Sequence, residues 1–224
     1  MGSIEFLKDY DTPSFNYKEY IQISPINQIF SKTGCSGKID VLPSSYKTKD
    51  SALANLIGIR EKRLNKALQQ SDIANDYDYV LIDTPPSATT ITSNGLYAAQ
   101  YVVIPSQMEY LSVYGIRTPI GRAKEVQEEM GKRGAILGIV PMMTEKNVKI
   151  HTTIRQSVQQ RFQGLTILPE IKRAAAVGQA SQVRQPISLF AEHNKGAAEV
   201  ATQFSALTQQ IMIRINQIES SVGM

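Results

Sequence analysis

Residues 79–89 read YVLIDTPPSAT, and this stretch carries the strongest chemical signal in the chain. Tyr79, Val80, Leu81 and Ile82 form a continuous apolar run, the pattern of a strand buried on both faces of a parallel sheet. The run ends on a carboxylate, Asp83, and Pro85 and Pro86 then prevent any helix or ladder from continuing. Open α/β sheets bind their ligands just past the carboxyl ends of such strands. Taken alone, Asp83 has two readings: a group that acts on a bound ligand, or a structural carboxylate that caps a turn through neighbouring amides. Other chemistry is sparse. Cys35 is the single cysteine, which excludes an internal disulfide and argues against a thiolate zinc site. His151 and His193 stand too far apart in sequence to suggest a metal pair.

The elements that must position Asp83 follow from the hydrophobic periods. From about Lys38, strand-like and helix-like segments alternate, which predicts an α/β fold: a doubly wound, mostly parallel sheet with helices on both faces. KIDVLPSS predicts a short strand ended by Pro43. DSALANLIGIREKRLNKALQQ places Leu53, Leu56, Ile57, Leu64 and Leu68 near one helical face, with Asp50 or Ser51 as the N-cap. A second helix is expected near Ser93, then a strand at YVVIP, a helix over SVYGIRTPIGRAKEVQEEM, a strand at AILGIVPMM, a helix at HTTIRQSVQQRF and an extended piece at LTILPE. Val200, Phe204, Leu207, Ile211, Ile215 and Ile218 recur every three or four residues, the stripe of an amphipathic helix that docks on a sheet or meets a partner. Residues 1–35 show no clear period, with one short helix interrupted at Pro25. The expected organisation is an irregular N-terminal segment, 1–35, and one α/β domain, 36–224.

The 224 residues and 42% hydrophobic content suit one ordinary globular domain. The apolar runs are too short for a membrane span, and the acidic start MGSIEFLKDYDTPSF is unlike a signal peptide, so a cytoplasmic location is expected. The net charge of +4 is unevenly spread: residues 117–224 hold 14 Lys and Arg against 8 Asp and Glu, leaving 10 against 12 before them. A basic second half can track an acidic polymer such as DNA, although a solvated surface gives the same count.

With Asp78 and Tyr79 included, DYDYVLIDTPPS closely resembles the Walker B and switch II region of the ParA/MinD family of P-loop ATPases. The resemblance runs from about Ile39 to Leu207 with its blocks in the family's order. These include REKRLNKAL, SNGLYAAQYVVIPSQMEYLSVYGI, GIVPMMTEKNVKIHTTIRQSVQQRF and PEIKRAAAVGQASQVRQPISLF. It implies that Asp83 acts near Mg²⁺ and the attacking water, as metal ligand and catalytic group, and that Thr84, Pro85 and Pro86 sense the γ-phosphate of ATP. A hard ion such as Mg²⁺ prefers carboxylate and water oxygens. On the adenine side the resemblance points to Met143, Thr144 and Lys172. The last departs from relatives, which often read IP where this chain has Ile171 and Lys172. The C-terminus IMIRINQIESSVGM has one Arg and no Lys, unlike the basic membrane helix of MinD-like members, so the ParA side is favoured. That side implies a nucleoid-associated protein that dimerises, coats DNA non-specifically and answers to a centromere-bound partition partner, without a membrane. Lys146, Lys149, Lys172, Arg173 and Arg184 are the expected phosphate contacts.

Half of the family's site is not found. The KGGxGK[ST] loop, whose amides cradle phosphates at a helix N-terminus, has no match. SKTGCSGKID offers Gly34, Gly37 and Lys38, but Ile39 stands where Ser or Thr should bind magnesium, and a strand pattern follows. The DxDPQ block is also missing. The chain thus resembles a ParA protein without its first two strands and the helix between them. Two functions follow: a partition ATPase-family protein whose own hydrolysis is doubtful, and a non-hydrolysing DNA- or partner-binding module on the same fold.

Overall fold

The structure, a computed structural model, describes residues 3–33, 36–44, 60–85, 89–109, 115–131, 134–145 and 149–222. The chain divides into two compact units, Met1–Ala99 and Gln100–Met224.

The first unit is built on aromatic side chains. Helix α1 (Ser3–Asp9) presents Phe6 and Leu7, and the following turns present Tyr10, Tyr17 and Tyr20. Phe6 is fully buried and meets Phe15 and Tyr20 edge-on, with ring centroids 5.3 and 5.9 Å away, the geometry aromatic quadrupoles favour. Ala67 on α3 (Arg63–Gln70) and Ile73, which opens α4 (Ile73–Asp76), close the same core. The described residues 3–33 are therefore organised, and the compact units separate at Ala99/Gln100 rather than at 35/36, because α1 and the Tyr17–Tyr20 turn pack against α3 and α4. Between them, β1 (Gln22–Ile23) pairs with β2 (Asp40–Val41). The pair is antiparallel, so KIDVLPSS does not supply a parallel strand. The Asn27 carboxamide both donates to and accepts from the Ile39 main chain, at 2.9 and 2.7 Å. Pro25 starts a helix instead of interrupting one: α2 (Ile26–Thr33) begins directly after it, as a residue without an N–H allows. The Asp50 and Ser51 caps lie outside the described residues. The start of α3 is satisfied from outside as well, since Leu64 N donates to Asn94 Oδ1 of α5 (Thr90–Ala98) at 3.0 Å. That last helix starts slightly before Ser93, capped by Thr89.

Two phenols, Tyr17 buried and Tyr77 partly buried, make this unit sensitive to alkali. Tyr17 donates to Asp76 Oδ2, and Tyr77 donates to Asp40 Oδ2 at 2.6 Å. Burial, and then the bond to Asp76, pushes the Tyr17 phenol from 10.0 up to about 12, and Tyr77 is raised by the same kind of causes. A phenol whose folded pKa is raised stabilises the fold fully below pH 10.0 and loses that contribution as pH climbs through about 12. Thermal melts followed by near-ultraviolet circular dichroism across this window should therefore show falling stability, and Tyr17→Phe should flatten the fall. An unchanged slope in the variant would exclude Tyr17 as its source.

The second unit carries a three-stranded parallel sheet in the order β3-β4-β5, formed by β3 (Tyr101–Gln107), β4 (Ala135–Thr144) and β5 (Ile171–Lys172). Side chains alternate between its faces. Val102, Ile104, Ile136 and Ile139 point to one side, where Ile120 of α6 (Arg117–Met130) and Ile154 and Val158 of α7 (Lys149–Arg161) cover them. Val103, Val140 and Met142 point to the other. There Leu168, Ala176 of α8 (Ala175–Gln182), Phe190 of α9 (Ile187–His193), and Val200 and Phe204 of α10 (Ala198–Val222) pack on them. Both faces are covered by helices, the expected α/β arrangement. LTILPE is extended, with Ile167 bridging to Ile139. The long helix α10 docks on this sheet: Arg214 Nε donates to Leu137 O at 3.3 Å and Tyr101 OH to Glu219 Oε1 at 2.9 Å. No described helix is long and apolar enough to cross a membrane.

Candidate functional site

In the first unit, Tyr79–Asp83 is not a buried strand. Tyr79 is 61% exposed, Val80 50% and Leu81 95%, and the segment pairs with no described strand. The apolar run has the composition of a central strand, but no described strand lies beside it. One of its faces is held nonetheless. A Cβ added to Gly95 of α5 would lie 2.7 Å from Thr84 Cγ2 and 3.2 Å from Ile82 Cγ2, and Thr92 Oγ1 donates to Pro85 O at 3.3 Å. Only glycine lets the helix approach this closely. Both Asp83 and Thr84 are exposed. Pro86 lies outside the described residues.

Lys38, the lysine of the glycine-containing loop, is already engaged. Its Nζ is 3.5 Å from Asp40 Oδ2 and 4.7 Å above the Tyr77 ring. The chain continues through Ile39 into β2, not into a helix N-terminus. Gly34 lies outside the described residues.

In the second unit, the ends of β3, β4 and β5 bring Gln107, Met143, Thr144, Lys172 and Arg173 together. Met143 has φ 54°, a left-handed backbone that costs a side-chain-bearing residue energy and marks functional sites when it occurs. Its Sδ accepts from Gln107 Nε2 at 3.4 Å. Beside it, Thr144 is 5% exposed and its Oγ1 has no hydrogen-bond partner, a cost a buried hydroxyl rarely carries in the absence of a ligand. Thr144 O accepts from Arg173 N at 2.9 Å. The charges of the neighbouring bases are paired: Lys172 Nζ with Glu199 at 2.7 Å and Arg173 Nε with Glu145 at 2.8 Å. Lys172 N also donates to Gln203 Oε1. Arg184, exposed and at φ 54°, makes no ion pair among the described residues. Lys149 opens α7, and Lys146 lies outside the described residues. Sequence reasoning missed Gln107, Glu145, Glu199 and Gln203. Of these, Gln107 had a legible signal, a polar residue closing the YVVIPSQ strand. Among the described residues no His, Cys, Asp and Glu cluster could hold a metal ion.

Comparison with known proteins fits this geometry. The model of the AAA domain family matches residues 7–136. The chain is 30% identical over 158 residues to the chromosome-partitioning ATPase Soj of Treponema pallidum, an alignment covering 70% of this chain and 60% of that one. It spans 52–66% of the length of curated relatives of this kind. Among solved structures, apo McdA of Cyanthece superposes with a TM-score of 0.74 at 20% identity, covering 93% of this chain and 76% of that one. Cobyrinic acid a,c-diamide synthase of Mycobacterium smegmatis, solved with an ATP analog and magnesium, superposes at 0.63 and 24% identity, covering 78% and 63%. At these identities the structures establish the fold alone. The family match spans more than half of the chain and carries the assignment: the chain belongs to the AAA domain family, among the P-loop ATPases of the ParA/MinD group.

Proposed function

We propose that this chain is a ParA-type partition protein that binds DNA without reading sequence and, acting alone, neither holds Mg·ATP firmly nor hydrolyses it. The observation that carries this reading is the exposed, unladdered Tyr79–Asp83 segment. A carboxylate positions a metal or a water only when its backbone is fixed to within a fraction of an ångström, and here one face of the segment touches α5 while the rest meets solvent.

The two groups of candidate residues, one in each unit, are unequal. On the base side the residues fit: the orphaned Thr144 hydroxyl can bond a base edge, and the Met143 turn and Gln107 sit beside it. On the phosphate side they do not, because Lys38 is held by Asp40 and Tyr77 and leads into a strand. Asp83 would be the residue to hold Mg²⁺, and Thr84 and Pro85 those to sense phosphate.

For DNA the useful charges are those not already spent on carboxylates. Lys172 and Arg173 must leave Glu199 and Glu145 to reach phosphates, whereas Arg184 need not. Lys146 and Lys149 belong to the same proposed surface. Mobility shifts on unrelated duplexes at several salt concentrations should give one affinity for all sequences. Arg184→Ala should lower the salt slope by about one unit, and Lys172→Ala or Arg173→Ala by less. A slope unchanged by Arg184→Ala removes that residue from the surface, and no binding at low salt removes DNA from the function.

A further inference from the structure

Lys172 and Arg173, the two bases at the end of β5, are each held at two points. Lys172 N donates to Gln203 Oε1 at 2.9 Å, and its Nζ pairs with Glu199 Oε1 at 2.7 Å. Glu199 and Gln203 lie one turn apart on α10, so a single face of that helix supplies both contacts. Arg173 repeats the arrangement with two consecutive residues: its N–H donates to Thr144 O at 2.9 Å and its Nε to Glu145 Oε1 at 2.8 Å. The ion-pair lengths are those of charge-assisted bonds. Main-chain bonds beside each pair reduce the freedom that its side chains lose in forming it.

Stability does not account for these pairs. The Glu199 side chain is 61% exposed and that of Glu145 49%, and ion pairs at such exposure add little to a fold. Their effect falls on an approaching anion. A phosphate reaches Lys172 only by displacing Glu199, and the displaced carboxylate then draws a cation from solution, which cancels the counterion that the phosphate releases. The same exchange applies to Arg173 and Glu145. Arg184 carries no such cost, being in no ion pair among the described residues. We infer that Glu199 and Glu145 are built-in competitors of DNA phosphate at Lys172 and Arg173, so that binding there is an exchange of carboxylate for phosphate. The inference rests on the DNA reading above and adds to it the residues that hold the affinity and its salt dependence down.

The test is a mobility-shift series on one unrelated duplex at several salt concentrations, with the full chain and the variants Glu199→Gln, Glu145→Gln and both together. Each substitution should steepen the salt slope by about one unit and the pair by about two. Affinity at low salt should rise about 2–5-fold for each, and circular dichroism should show an unchanged fold. The decisive comparison is Lys172→Ala in two backgrounds. With Glu199→Gln it should remove the full unit of slope, and in the unchanged chain much less, a coupling that a general gain of positive charge does not produce. Glu125→Gln supplies that general gain alone, since it removes a carboxylate beside Arg122 on α6, and should leave the Lys172→Ala effect as it is in the unchanged chain. DNA binding whose slope is indifferent to Glu199→Gln and Glu145→Gln overturns the inference and leaves the DNA reading standing. No binding by the unchanged chain or by any variant at low salt overturns both.

Discussion

Phe6→Ala is expected to unfold the first unit while the second keeps its structure. Phe6 is fully buried among Phe15, Tyr20 and the Ala67 face of α3. Truncating such a ring costs about 3–5 kcal/mol in lost burial and residual cavity, against a total of about 5–15 kcal/mol for a whole domain. Hydrogen exchange on the full chain should show α3 amides losing protection while β4 amides retain theirs. Equal loss in both regions would contradict two separate cores, and no loss would mean that α1 is dispensable.

The second large effect is expected at Gly138. A Cβ there would stand 2.6 Å from Thr166 O and 2.8 Å from Leu168 Cγ. The carbonyl cannot retreat cheaply, since it accepts from Ile139 N at 2.9 Å, and Leu168 N in turn donates to Ile139 O at 2.8 Å. Gly138→Ala should therefore cost about 1–3 kcal/mol or more as overpacking in a filled core, lowering Tm by about 2–4 °C per kcal/mol. Gly178 on α8 is the control, because a Cβ there meets nothing within 4 Å. Gly178→Ala should leave Tm unchanged or raise it, as removing a helical glycine usually does. Equal effects at the two positions would mean that close strand approach does not explain Gly138.

The second unit was largely legible in the sequence. YVVIP and AILGIVP alternate with helical patterns, and each run is apolar on both faces because helices cover both faces. The register shift between Val102 and Val103 was not legible, since it adds Leu137 without breaking the apolar run. Tyr79–Ile82 has the same signature and a different fate. An apolar run tells what cover a segment needs, and says nothing about whether a neighbour exists to give it. The first unit was opaque for another reason: Phe6, Tyr10, Tyr17 and Tyr20 come at irregular spacings, and their core is made by tertiary packing that no local period announces. Arg63 is 7% exposed, with Nε donating to Leu7 O at 2.8 Å and its guanidinium 4.8 Å from the Tyr10 ring. In REKRLNKAL it is indistinguishable from a surface arginine. Within the candidate site, motif resemblance singled out Asp83, Met143 and Thr144 as expected site residues, and the structure leaves Thr144 Oγ1 without a hydrogen-bond partner. The carboxylates that occupy Lys172 and Arg173 come from residues far away in sequence, and only the fold reveals them.

The claim that this chain alone does not hold nucleotide is tested most directly by isothermal titration of the full chain with Mg·ATP. The absence of a described phosphate cradle, the engagement of Lys38 and the exposure of Asp83 predict heats of dilution only, corresponding to a Kd weaker than ~1 mM. A sub-micromolar Kd that Asp83→Ala abolishes would contradict the account, because it would mean that the exposed segment and some loop of this chain assemble a complete phosphate site.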